Sequence, residues 1–186
     1  MSKKNTKNEL PVKQSRALRE DVFWNIIAKA HTSSAREIIG DEYSEREDYY
    51  ITHLITELLR KRSLKSVIQF EIRLRVLMWQ DRSEELSESI SKILGKEYDW
   101  HTEKQFMLWL ISQGEKVYKS AIKNPKALVK KPKYFYDLFE GDAILRCTFF
   151  AFHLRSGGKR VDDFIDELEA RRKYDTSYTL FKSLPM

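Results

Sequence analysis

Tyr49, His53 and Glu57 follow one another at intervals of four residues, so on an α-helix they share one edge. An imidazole between a phenol and a carboxylate is an arrangement that acid–base chemistry uses: the carboxylate orients the ring and the ring moves the proton. The competing reading is a solvated polar stripe, and it is favoured because the chain supplies neither a nucleophile nor an oxyanion hole to go with it. A second polar pair, Arg146 and His153, interrupts the otherwise apolar run "AILRCTFFAFHL". If that run is a central helix, the Arg146 guanidinium must meet a carboxylate or reach water, because an unpaired buried charge is too costly. A structural ion pair satisfies this. The sharper alternative is an anion-recognising cleft, which suits the planar donor fork of arginine. These five residues form a candidate polar cleft, and none of them is assigned a catalytic role.

Other reactive side chains give less. The four histidines, His31, His53, His101 and His153, show no H-E-x-x-H pattern and no pair four residues apart. Cys147 is the single cysteine, so no intrachain disulfide can form, and its apolar surroundings predict a buried, inert thiol. No metal or cofactor is expected. "RSGGKR" lacks the spacing of a phosphate loop and the strand that precedes one, and reads better as a helix stop. An enzyme is the less favoured class.

Charge points weakly to nucleic acid. The net charge is +6, and residues 1–19 carry most of it, with Lys3, Lys4, Lys7, Lys13, Arg16 and Arg19 against Glu9 alone. The rest of the chain is nearly neutral. Residues 1–19 are therefore expected to form a basic, flexible tail, and residues 20–186 a helical domain. Within that domain the loop from Lys123 through Lys126, Lys130, Lys131 and Lys133, followed by Tyr134, Phe135 and Tyr136, is the best nucleic-acid candidate. Lysines engage phosphates and rings stack on bases. The plainer reading is a solvated basic face whose aromatics turn inward.

The elements that position these residues are helices. Glycine and proline number only six and four, and they fall mostly where helices would end. The predicted fold is all-α, a compact single-domain bundle of about seven helices. Phe23, Ile26, Ile27 and Ala30 share a face at helical spacing, as do Ile51, Leu54, Ile55 and Leu58. Ser44 with Glu47 forms a capping box; Ser63 and Ser83 can cap the next two helices, and Gly95 can stop the second of them. Thr102 with Gln105 gives another capping box, opening a helix that Pro125 closes. "DAILRCTFFAFHLRS" is apolar on nearly every side and is predicted at the bundle centre. Only "KYDTSYTLF" near the end hints at strand.

Gly114 lies within the run "FMLWLISQGEKVYKSAIKNP". At about 100° per residue, Phe106, Leu110, Gly114, Val117, Tyr118 and Ala121 fall on one continuous arc, which makes Gly114 a packing notch for a close neighbour. Trp109 projects off that arc, beside Lys116. It either packs against another element or anchors a partner, as interface tryptophans do. Trp109 and Lys116 are thus the candidate partner-binding residues.

The segments "FWNIIAKA", "LITELLRKRSLKSVIQFE" and above all "WLISQGEKVYKSAIKNP" are similar to a bacterial family known as domain of unknown function 4240. Trp109, Leu110, Ile111, Gln113, Gly114, Val117, Tyr118 and Pro125 stand where the family pattern has like residues, and the resemblance covers about residues 22–130. The family usually shows a Gly-Gly and an Asp-Asp pair before this motif. Here the chain reads "GKEYDWHTEKQF", with Trp100 and His101 at the places of the two aspartates. The resemblance implies an α-helical domain and no particular reaction.

No apolar stretch approaches the roughly 18 residues of a membrane span, and the N-terminus lacks the apolar core of a secretory signal, so a cytoplasmic protein is expected. The favoured function is a non-catalytic, protein-binding or regulatory module, a class that includes immunity proteins. Nucleic-acid association and an enzyme built on the His/acid cleft are the alternatives.

Overall fold

The computed structural model describes residues 17–37, 47–130 and 143–172. Among these residues there are eight α-helices and no strand: α1 Glu20–Glu37, α2 Glu47–Arg60, α3 Leu64–Gln80, α4 Glu84–Leu94, α5 Trp100–Ser112, α6 Glu115–Lys123, α7 Ala143–Arg155 and α8 Val161–Arg172. Two 3-10 helices, Gly95–Glu97 and Pro125–Lys130, follow α4 and α6. The expected tail upstream of Ala17, the Ser44 cap and the "KYDTSYTLF" segment lie outside the described residues. Leu18, near the end of the expected tail, is docked: its N–H donates to the Gln69 carbonyl at 2.8 Å and its own carbonyl accepts from the Arg73 guanidinium at 2.7 Å.

The bundle forms around α3. The Ser63 hydroxyl accepts from the Ser66 N–H and opens the helix. Val67, Ile68, Phe70, Leu74 and Leu77 are then buried on a helix that packs against α1, α2, α5, α7 and α8. Each such side chain contributes roughly 1.5–3 kcal/mol on burial. Phe23 of α1 stacks on Phe70 with ring centroids 4.5 Å apart. The apolar α7 is not the centre that its composition suggests. It packs against α2, α3, α5 and α8 but keeps one edge open, with Phe150 and Leu154 about half exposed. Arg146 is exposed as well, so it reaches water rather than sitting in the interior.

Two buried carboxylates tie the helices together. Glu71 of α3 accepts from the Thr148 hydroxyl of α7 and pairs with Arg75. Glu103 of α5 accepts from Ser87, Tyr98 and Arg82 at 2.7, 2.9 and 2.7 Å. Both sit in helical phase with apolar residues, Glu103 three, four and seven positions before Phe106, Met107 and Leu110.

One predicted helix is two. Gly114 separates α5 from α6 at φ 95° and ψ 166°, a conformation that side chains other than glycine's strongly disfavour. A Cβ built on Gly114 would meet no atom within 4 Å, so the expected packing notch is absent and the backbone angle is the reason for glycine. The break accounts for eight helices instead of seven. It also resets the rotational phase: Tyr118 and Ala121 stay buried, whereas Val117, expected on the same arc, is 44% exposed. The helix opens one turn earlier than expected, with Asp99 and Thr102 forming the reciprocal capping box.

Candidate functional site

Two grooves gather the candidate residues. The first runs along α5, α6 and the 3-10 helix Pro125–Lys130 and encloses about 520 Å³. Phe106, Trp109 and Leu110 of α5, Val117 and Ala121 of α6, and Leu128 of the 3-10 helix supply its apolar lining. Trp109 lies with its ring centroid 5.3 Å from that of Phe106, fixed against the core instead of standing free. Polar groups are confined to Gln113, Lys116, Ser120 and Asn124. Lys116 is exposed, and no ion pair of its ammonium occurs among the described residues. Its neighbour Lys119 is engaged by Glu115 and Glu20.

The groove lies at the break that Gly114 makes: a continuous helix would hold Val117 in phase with Leu110, whereas beyond the break Val117 is partly exposed and lines the groove together with Trp109. Tyr118 anchors the turned helix, donating from its hydroxyl to the Leu77 carbonyl at 2.7 Å and to Asp81 at 2.9 Å. Burial, reinforced by the Asp81 carboxylate, pushes this phenol far above its ordinary range, so it remains a donor.

The second groove lies between α2 and α7 and is smaller, about 260 Å³. It brings together four residues of the candidate polar cleft: His53 and Glu57 from α2, Arg146 and His153 from α7. The side chain of Tyr49 lies outside the described residues. Glu57 is held by Arg60 of its own helix, Nε to Oε2 2.6 Å. The His153 Nδ1 stands 2.8 Å from the Lys159 carbonyl, which can only accept, so that nitrogen carries a proton. Cys147 forms part of the floor. Its thiol donates towards the Thr52 and Ala143 carbonyls, and burial pushes it up to about 12. A neutral, hydrogen-bonded thiol is no nucleophile near neutral pH. The arrangement can recognise a polar ligand but assembles no nucleophile and base in contact.

Of the four nucleic-acid candidate lysines, only the Lys126 side chain falls within the described residues. Lys126 is paired with Glu85 of α4, Nζ to Oε1 3.2 Å. The Lys130 side chain and residues Lys131 and Lys133 lie outside the described residues. His31 Nε2 meets the Ser112 carbonyl, linking α1 to the end of α5. Trp100 and His101, in the first turn of α5, are exposed and pack edge to face. Among the described residues no three His, Cys, Asp or Glu side chains converge as a metal site requires, and no helix is long and apolar enough to cross a membrane.

Residues that sequence reasoning did not single out complete both grooves. Leu128, Asn124 and Ala127 come from the segment around Pro125, and Phe150 and Leu154 from a helix expected to be wholly buried. Their signal was present in the pattern: Arg146, Phe150 and Leu154 recur every four residues along one edge of α7.

The described residues form an all-α bundle with two grooves on it. The chain belongs to the family described as protein of unknown function (DUF4240), whose model matches residues 18–152. The match extends past the initial resemblance to take in most of α7, and with it nearly all of both grooves. No curated protein and no solved structure matches the chain.

Proposed function

We propose that this protein is a non-catalytic binding module whose partner is another protein, held in the groove between α5 and α6. The observation that supports this most is that half-exposed Val117 and Trp109, packed on Phe106, line one largely apolar groove. Grooves of this kind take an amphipathic helix along its apolar face, with aromatic residues as anchors. The volume falls within the roughly 300–1,000 Å³ typical of binding pockets. Lys116, exposed in the lining and with no ion pair among the described residues, adds a sign to the partner: a segment with apolar residues three or four apart and acidic residues beside them. Association with nucleic acid has less support, because Lys126 is neutralised locally by Glu85.

The test is a selection of phage-displayed helical peptides on the full chain, with the Val117→Glu variant as counter-selection. Val117 is 44% exposed, so the variant keeps its fold while placing a charge in the groove lining. Enrichment of acidic, amphipathic sequences that bind the wild type at least tenfold better than V117E is expected. Sequences that bind both proteins equally, or no enrichment, would remove the groove as the docking surface.

A further inference from the structure

The groove between α2 and α7 carries a separate inference. Along α7 the side chains of Arg146, Phe150 and Leu154 succeed each other one turn apart and all line this groove. One edge of the helix therefore presents a guanidinium followed by two large apolar side chains, each about half exposed. Exposed Phe and Leu in succession beside a cation form an amphipathic track roughly two helical turns, or about 11 Å, long.

Among the described lining residues, Arg146 and two histidines stand against one acid. No ion pair of Arg146 occurs among the described residues, although arginine forms strong two-point contacts wherever a carboxylate is in reach. Glu57 is the single acid among the described lining residues, and its carboxylate is held by Arg60. Opposite α7, His53 is exposed and, in either neutral tautomer, has one ring N–H to donate. The His153 ring is fixed by the Lys159 carbonyl. Ala143 and Cys147, both buried, add apolar surface to the lining.

We propose that this groove binds a short amphipathic carboxylate, an aryl-alkyl or short-chain alkyl acid, with its carboxylate on Arg146 and His53 and its apolar body along Phe150 and Leu154. Arginine presents a donor fork matched to a carboxylate, and the adjoining apolar edge discriminates such an acid from small inorganic anions. The volume of about 260 Å³ accommodates a molecule of this size. The site shares no residue with the α5–α6 groove, so either can fail without the other.

The experiment is a titration of the uniformly ¹⁵N-labelled full chain with 4-phenylbutyrate, with 4-phenyl-1-butanol as its uncharged counterpart, on wild type and Arg146→Met. Saturable shifts at amides of α2 and α7 are expected for the acid. Affinity for it is expected to fall at least tenfold in R146M, and the alcohol is expected to bind at least tenfold more weakly than the acid. Because Arg146 is exposed, the variant spectrum should otherwise overlay that of the wild type. No saturable shift in these helices, equal binding to R146M, or equal binding of the alcohol would overturn the proposal.

Discussion

The Trp109 ring is tilted 56° to that of Phe106, with centroids 5.3 Å apart, so the indole is both a support for the core and a wall of the groove. That double role limits what Trp109 substitutions can show, because loss of packing and loss of binding would occur together. The rim residue Lys116 separates them. Lys116→Glu is expected to leave thermal unfolding within about 0.5 kcal/mol of wild type, since surface changes away from buried features have small effects. The same change should weaken an acidic amphipathic peptide about tenfold at low salt, and the difference should shrink at roughly 1 M salt. Fluorescence anisotropy of a labelled peptide measures both.

Gly114→Ala tests whether glycine is required by conformation or by space. Position 114 is open, with no atom within 4 Å of a Cβ, yet its φ is 95°. Alanine is therefore expected to cost about 1–3 kcal/mol through backbone strain alone. Urea denaturation reads this directly. An unchanged midpoint would mean that the break between α5 and α6 is held by something other than the glycine.

The Glu103 carboxylate is buried and accepts from three side chains contributed by α4, the segment before α5 and the turn after α3. Glu103→Ala leaves Tyr98, Ser87 and Arg82 without their acceptor and is expected to destabilise by about 2–4 kcal/mol. Glu103→Gln preserves one acceptor oxygen and should cost clearly less. Calorimetric unfolding of the two variants supplies the comparison.

Cys147 gives a pH signature. Its thiol is raised from 9.0 to about 12 by burial, so the folded protein holds this proton more tightly than the unfolded chain. The associated stability is intact below pH 9 and is lost as pH rises towards 12, because the unfolded chain deprotonates first. Cys147→Ala should remove that part of the alkaline decline. In the native state the thiol should react with Ellman's reagent on the order of 100-fold more slowly at pH 8 than in denaturant. Equal rates would place Cys147 at the surface.

The sequence made the helices legible because their ends carry local chemistry. Ser63 and Ser83 cap where their hydroxyls suggested, and α4 stops at Gly95. Rotational phase was legible only while a helix stayed continuous. Once Gly114 turned the chain, the position of Val117 could not be extrapolated from Phe106, and the groove beside Trp109 was hidden with it. The clustering of His53 and Glu57 with Arg146 and His153 depended on α2 lying along α7, a contact between segments some ninety residues apart that no local pattern encodes. The burial of Glu71 and Glu103 was readable in principle, since each occupies an apolar phase.

Docking in the α5–α6 groove is tested most directly by a ¹H–¹⁵N titration of the full chain with a synthetic helical peptide of leucines at four-residue spacing and glutamates elsewhere. The indole N–H of Trp109 and the amides of Val117, Ala121 and Leu128 are expected to shift together and saturate, while the indole of the exposed Trp100 stays in place. Shifts centred on α7 or on Trp100, or no saturable change at Trp109, would contradict it.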